Sequence, residues 1–115
     1  MKLSSRPSAL ARGRRLILFA GIFLPAAASA GPLTDAEALA IVRKHCAICH
    51  AVKPTHPAFA EAPNNVALET IADLKKHAQA VYMQTVQNKA MPLGNQTHMS
   101  DDERAALGRW VKALP

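Results

Sequence analysis

The part of the sequence with the clearest chemistry is a closely spaced pair of cysteines flanked by histidines. It is the stretch HCAICH, residues 45–50, and it contains both cysteines of the chain, Cys46 and Cys49. A Cys-x-x-Cys pair can belong to a zinc site, to a thiol–disulfide redox pair, or to the covalent attachment of a haem. These three sites need different surroundings, so the rest of the sequence can distinguish them.

A zinc site and a redox pair both lack the surroundings they need. Structural zinc usually takes four protein ligands in two spaced pairs, whereas the chain has one cysteine pair and its distant histidines, such as His56 and His98, lack the spacing of a zinc finger. Neighbouring helical residues point about 100° apart, which turns Cys49 and His50 away from a shared ion. A thioredoxin-like pair requires a βαβ unit, and the chain shows no such pattern. A plain disulfide would close a very short loop and stabilise little.

The haem interpretation gives a role to each fixed position of the motif, since Cys-x-x-Cys-His is the signature of c-type haem attachment. Each thiol adds across one vinyl group of the porphyrin, and the spacing of three residues brings both cysteines to one porphyrin edge. His50 follows Cys46 by four residues and can offer its Nε2 atom to the iron. The sequence therefore predicts one covalent haem c, attached through Cys46 and Cys49, with His50 as the proximal axial ligand.

The distal side of the iron has several candidate ligands. They are the remaining internal methionines and histidines: Met83, Met91, Met99, His45, His56, His77 and His98. We favour Met91 as the distal axial ligand, because Pro92 keeps the preceding residue out of a helix and so presents the thioether from a braced loop. Met99 is the alternative, although its place before the capping residue Ser100 suits a packing role. Met83 is expected to fill the core, and the histidines are expected to be solvated.

The first 30 residues have the three parts of a secretory signal peptide. Five basic residues and no acidic one precede the apolar run LILFAGIFL, residues 16–24, and small residues follow up to Ala30. Nine apolar residues are fewer than the roughly 20 that span a bilayer. We therefore predict a signal peptide over 1–30, cleavage after Ala30 and a periplasmic location, with an uncleaved anchor as the alternative.

The basic character of the chain belongs mainly to this leader. The whole chain has a net charge of +6 and a sequence pI of about 9.8. Removal of residues 1–30 takes away five of the 14 basic residues and none of the eight acidic ones, which leaves nine against eight. A nearly neutral protein gives no basis for nucleic-acid binding.

Residues 31–115 predict a single all-α domain. Capping boxes are expected at Thr34 and at Ser100, each with a glutamate three residues later. Leu39, Val42, Cys46 and Cys49 share one helical face, so the first helix should carry the motif on its inner side. Residues 51–65 predict a long loop, and residues 69–89 predict two short helices that are divided near residues 77–79. Finally, Leu107, Trp110, Val111 and Leu114 mark the inner face of the last helix.

The order of these features resembles the small class I cytochromes c over nearly all of residues 33–114. The matching features are CAICH, a proline-rich loop, two short helices, the tripeptide AMP, and a capped helix carrying Trp110. More narrowly, HCAICHAVKPTHPAF and KAMPLGNQTHMSDDERAALGRWV resemble the cytochrome domain fused to the C-terminus of bacterial membrane-bound urate oxidases. That family has a multi-span membrane domain before the cytochrome, where this chain has its predicted signal peptide. The resemblance implies about four short helices wrapped around one covalent haem.

Histidine and methionine ligation fills both axial positions of the iron, which suits a carrier of single electrons rather than an enzyme. We therefore predict a monomeric periplasmic cytochrome that exchanges electrons with redox partner proteins, a membrane-bound oxidase or dehydrogenase among them. The alternative is a haem-based sensor or a small haem enzyme, which would need an open distal site. A domain of this size leaves little protein for a substrate pocket.

Overall fold

A computed structural model describes residues 2–4, 17–24 and 31–115 of the chain. The predicted cleavage site after Ala30 and most of the basic part of the leader lie outside the described residues. Residues 17–24 form neither helix nor strand, and their side chains are exposed. Among the helices described, none has the length and apolarity needed to cross a membrane.

Residues 31–115 are helical, as predicted. The four α-helices are α1 (Asp35–His45), α2 (Ile71–Lys76), α3 (Ala78–Val81) and α4 (Asp101–Ala113). α3 continues directly into a π-helix over Tyr82–Gln87. Short 3-10 turns occur at Pro63–Asn65, inside the predicted loop, and at Leu93–Asn95. No strand occurs in the part of the chain that the structure describes, so the all-α prediction is confirmed.

Both predicted capping boxes are present. At the start of α1 the Glu37 backbone N–H donates to Thr34 Oγ1 at 3.3 Å, and the Thr34 N–H donates to Glu37 Oε2 at 2.8 Å. At the start of α4 the Glu103 N–H donates to Ser100 Oγ at 3.1 Å, and the Ser100 N–H donates to Glu103 Oε2 at 2.9 Å. Each box pairs two backbone donors with side-chain oxygens, which fixes where the helix begins.

The second helical region is divided at His77, as predicted. A third capping box, formed by Thr70 and Asp73, begins α2. His77 ends that helix and has φ −106° and ψ 12°, outside the helical range, before α3 begins at Ala78. The π-helix that follows was not predicted, because a single wide turn leaves no clear period in the sequence.

The core lies where α1, α2 and α4 meet, and α4 also packs against the π-helix. Its buried residues are Ala38, Val42, Leu68, Leu74, Ala78, Val81, Met99, Leu107 and Trp110. Asp35 links three helices at one end of this core, since Trp110 Nε1 donates to Asp35 Oδ1 at 3.0 Å and Lys75 Nζ lies 2.6 Å from Asp35 Oδ2. The predicted inner face of α4 is confirmed at Leu107 and Trp110, while Val111 and Leu114 pack at its edge.

The prediction that the first helix carries both cysteines on one face is wrong, because α1 ends at His45. Cys46 is the C-cap, and a series of turns holds the rest of the motif. Positive residues suit the negative end of a helix, and Arg43, Lys44 and His45 occupy this last turn. The motif remains tightly wound, since the Cys49 and His50 N–H groups both donate to Cys46 O, at 3.1 and 2.8 Å.

Candidate functional site

An open cavity of about 530 Å³ lies against the turn that contains the two cysteines. Cys46, Cys49 and His50 border it from that turn, and Met91 borders it from the loop before α4. A neighbouring cavity of about 270 Å³ is bordered by Cys46, His50 and Met91 as well. The three residues therefore lie where the two cavities adjoin. The structure thus brings Met91 to the cysteine turn, although His50 precedes it by 41 positions and Cys46 by 45.

The ring of His50 is held in one tautomer. Its Nδ1 atom lies 2.8 Å from the backbone oxygen of Val66. A carbonyl oxygen can only accept, so Nδ1 carries the proton and donates it, which leaves the lone pair of Nε2 free. The backbone is fixed too, because the Leu68 N–H donates to His50 O at 2.8 Å. A histidine held in this way is prepared to bind a metal through Nε2.

The two cysteines are free thiols. Burial, with a smaller contribution from the negative charge of an ionised Cys49, raises the pKa of Cys46 to about 12. Burial also raises the pKa of Cys49. Disulfide oxidoreductases need the opposite, a thiol whose pKa is lowered, often at a helix N-terminus. Cys46 lies instead at the C-terminal end of α1, so this pair does not suit thiol–disulfide exchange.

The backbone of Met91 is held from two sides. Its N–H donates to Gln84 O at 3.0 Å, and its carbonyl oxygen accepts from Arg104 Nη1 at 2.7 Å. The Met91–Pro92 peptide bond is cis, and the Pro92 side chain is buried. Met91 is only half-buried and borders both cavities. The structure therefore leaves this residue accessible to a group that occupies them.

Met99, the alternative distal ligand, has a different environment. It is 4% exposed and packs in the hydrophobic core, and it borders neither of the two cavities. Its backbone is paired with the amide side chain of Asn95, which accepts from the Met99 N–H at 3.0 Å and donates to the Met99 carbonyl at 3.3 Å. The Met99 side chain therefore packs in the core, between the loop and α4.

Two expectations for the other candidates are wrong. Met83 was expected in the core but is 37% exposed, and Thr85 is buried instead. The π-helix explains this difference, because its extra residue per turn rotates the side chains away from α-helical positions. His45 was expected in solvent, but it is only 1% exposed and borders the larger cavity.

Each ring nitrogen of the buried His45 lies close to one polar side-chain oxygen. Nδ1 lies 2.8 Å from Thr97 Oγ1, and Nε2 lies 3.0 Å from Glu103 Oε2 without the alignment of a hydrogen bond. The hydrogen bond from Lys44, at 2.9 Å, is the main reason that the pKa of Glu103 falls to about 2, and the Ser100 backbone N–H contributes to the same shift. The negative charge of Glu103 therefore lies next to His45, which itself borders the cavity.

The remaining histidines contribute less to the site. His56 borders the larger cavity and lies 3.3 Å, through Nε2, from Gln96 Oε1. His77 borders the smaller cavity, and His98 is exposed. Within the ranges that the structure describes, no group of three or more His, Cys, Asp or Glu side chains is placed to hold a metal ion.

Sequence reasoning missed two residues that shape the site, Val66 and Arg104. Val66 contributes only its backbone oxygen, so its residue type carried no signal. The position of Arg104 did carry a signal in the sequence. It precedes Leu107 by three residues and therefore lies on the apolar face of α4. A charged residue on an apolar face requires buried partners.

The chain was compared with models of protein families, with curated proteins and with solved structures, and none of the three comparisons gave a match.

Proposed function

We propose that residues 31–115 form a small class I c-type cytochrome, which carries one covalent haem and passes single electrons between redox partners. Cys46 and Cys49 would hold the porphyrin through two thioethers, His50 would bind the iron through Nε2, and Met91 would be the distal ligand. A bound haem supplies an iron that cycles between the ferrous and ferric states, which lets the protein take up and release one electron.

The observation that carries this proposal is the meeting of Cys46, His50 and Met91 at both cavities. The three residues are the ones a covalent haem with histidine and methionine ligation needs, and the motif Cys-x-x-Cys-His is specific for that attachment. A zinc ion could bind the free Nε2 of His50 but would give no role to Met91, and a redox disulfide would give no role to either residue.

The residues at the site fit a haem in three further respects. Val66 O accepts the proton of His50 Nδ1, which fixes the ring and leaves Nε2 to the iron. Apolar side chains, including Ile48, Phe59 and Leu93, border the larger cavity and suit a largely apolar macrocycle. The cysteines are free to form thioethers.

Electron transfer is favoured over a sensor or a small haem enzyme because the loop of Met91 is tied at both backbone groups. A sensor or enzyme needs a distal position that is open or easily vacated, whereas the Gln84 and Arg104 contacts oppose movement of this loop. The cavity also has an exposed apolar edge, since Ile48 is 39% and Leu93 58% exposed. Such an edge allows a partner protein to approach closely, as transfer of an electron requires.

The proposed location is the periplasm, reached by means of the predicted signal peptide. The proposed partners are redox proteins, among them a membrane-bound oxidase or dehydrogenase, and the proposed form is a monomer. A balanced charge over residues 31–115 leaves recognition to local contacts around the cavity rather than to the overall field.

The test is a reduced-minus-oxidised visible spectrum of the purified periplasmic protein, followed by addition of carbon monoxide to the reduced form. We expect the spectrum of a c-type haem and no change with carbon monoxide, because Met91 occupies the distal position. A protein without a haem spectrum would contradict the proposal. A haem spectrum that changes readily with carbon monoxide would favour the sensor or small enzyme instead.

A further inference from the structure

Arg104 is a buried cation between α4 and the loop that carries Met91. It is only 6% exposed. Its Nη1 atom donates to Thr85 O at 2.6 Å and to Met91 O at 2.7 Å, and its Nη2 atom donates to Asn95 Oδ1 at 3.3 Å. All three acceptors are neutral oxygens, so hydrogen bonds rather than a carboxylate satisfy this guanidinium.

The contacts of Arg104 join three parts of the structure around one residue. Thr85 belongs to the π-helix, Asn95 to the 3-10 turn, and Arg104 itself to the first half of α4. Met91 lies between them, and the only other backbone hydrogen bond described for it comes from the same π-helix, at Gln84 O. Both polar backbone groups of Met91 are therefore fixed by neighbours outside its own loop.

We infer that Arg104 is a positioning residue for Met91, which it holds so that the sulfur stays at the junction of the two cavities. The inference rests on the proposed function, in which Met91 is the distal ligand of a haem iron. Arg104 acts through the backbone of Met91 rather than through the iron. Its Nη1 group donates to two carbonyl oxygens and its Nη2 group donates to a side-chain oxygen, an arrangement that a single apolar or short polar side chain cannot reproduce.

The Met91 loop can be closed, with the sulfur on the distal side of the iron, or open. Loss of the Arg104 contacts should shift this equilibrium towards the open loop. Net contributions of hydrogen bonds to a charged group correspond to roughly a ten- to hundredfold change in an equilibrium constant. A competing ligand binds only the open form, so its apparent affinity rises with the open fraction. Loss of the Arg104 contacts should therefore expose the distal site to carbon monoxide.

The experiment compares the wild-type holoprotein with Arg104→Gln, Arg104→Lys and a matched control, Lys112→Gln. Lys112 is exposed on the same helix, and its ammonium group lies 5.6 Å from the centroid of the Tyr82 ring. The control therefore removes one positive charge and this ring contact but none of the hydrogen bonds to Thr85, Met91 or Asn95. Arg104→Lys retains the charge but is one bond shorter and lacks the fork. The readouts are the near-infrared sulfur–iron band of the ferric protein, the affinity of the ferrous protein for carbon monoxide, and far-ultraviolet circular dichroism as a check on folding.

We expect both Arg104 variants to weaken the near-infrared band and to bind carbon monoxide roughly ten- to a hundredfold more tightly than the wild type. Lys112→Gln should match the wild type. If Arg104→Gln loses its helical circular dichroism, the comparison of Arg104→Lys with the wild type tests the positioning role. A band fully retained in Arg104→Lys, or Arg104 variants that equal Lys112→Gln, would overturn the positioning role alone. A wild-type protein without covalent haem would overturn the proposed function, and the inference with it.

Discussion

Met91 and Met99 differ in what their surroundings leave the sulfur free to do. Met91 borders both cavities and is held through its backbone, while Met99 is 4% exposed within the core. A thioether that is packed on every side cannot also reach a ligand without leaving a cavity behind it. The preference for Met91 therefore has a physical basis at the level of the single residue, although its role as an iron ligand stays a prediction.

Substitution of each methionine by alanine should have opposite effects. Met91→Ala should abolish the near-infrared sulfur–iron band, lower the reduction potential and admit carbon monoxide, with little change in stability. Met99→Ala should keep the band but destabilise the protein by about 2–5 kcal/mol, because it empties a core position. Absorption spectra and urea unfolding of both holoproteins measure this. The assignment is wrong if Met99→Ala is the variant that loses the band.

Glu103 makes the stability of the folded protein depend on pH in the acidic range. Its pKa falls from an ordinary value of 4.5 to about 2 in the folded state, chiefly through the hydrogen bond from Lys44. A lowered pKa stabilises the fold fully above about pH 4.5, and this stability is lost as the pH falls through 4.5 towards 2. The side chain is 22% exposed, so solvent reduces the effect to about 1–2 kcal/mol.

We expect Glu103→Gln to lose this acid-sensitive part of the stability. The free energy of unfolding, measured with urea between pH 6 and pH 2, should fall less steeply in Glu103→Gln than in the wild type. Glu61→Gln changes an exposed carboxylate of the loop and serves as the control, with the acid dependence of the wild type. Equal slopes in all three proteins would show that the network of Lys44, His45 and Glu103 does not contribute.

At the residue scale, the sequence allowed prediction of the site residues that are close to one another in the chain. Cys46, Cys49 and His50 are close in the chain, so their types and spacing were sufficient. The partners of the site were not predictable in the same way, because Val66 contributes a backbone oxygen and Arg104 reaches Met91 only through the packing of α4. Burial of His45 depends on Thr97 and on Glu103 and could not be inferred from its neighbours.

At the scale of elements, α4 packs closely against the π-helix at Gly108. A Cβ atom built there would lie 3.2 Å from Val86 Cγ1 and 3.5 Å from the ring of Tyr82. This contact matters to the site, because the same pair of elements supplies Arg104 and its acceptor Thr85. A side chain at residue 108 would push α4 away from the elements that hold the Met91 loop.

Gly108→Ala should therefore destabilise the protein, by about 1 kcal/mol after subtraction of the helix propensity gained from alanine. Val86 is β-branched and has little rotational freedom with which to make room. In a Val86→Ala background the clash is gone, and Gly108→Ala should become stabilising. Urea unfolding of the two single variants and the double variant gives the coupling between the positions. Simple additivity would contradict the close approach.

The starts of the capped helices were predictable because a capping box is a short sequence pattern whose side chains form specific hydrogen bonds with the backbone. The boxes at Thr34 and Ser100 were predicted, and the one at Thr70 follows the same pattern. The end of α1 at His45 was missed because the apolar spacing continued through Cys46 and Cys49. The π-helix was missed because one wide turn alters hydrogen bonding without altering composition.

At the scale of the whole molecule, a small helical domain leaves two adjoining cavities beside its only cysteine pair. Phe59, Tyr82 and Trp110 are the only aromatic residues between 31 and 115, so few large side chains are available to fill the interior. A cofactor that enters these cavities would complete the packing and supply folding free energy. The all-α class followed from the sequence, whereas the space against the motif became visible only once the loops were placed.

The most direct test of the account is whether haem is bonded covalently to Cys46 and Cys49. The periplasmic protein is denatured in acid and organic solvent, which removes haem that is not covalently bound, and its intact mass and visible spectrum are recorded. We predict the mass of the cleaved chain plus one haem, with the haem absorption in the protein fraction, and loss of both in Cys46→Ala/Cys49→Ala. A wild-type mass equal to that of the bare chain, with no haem absorption in the protein fraction, would contradict the account.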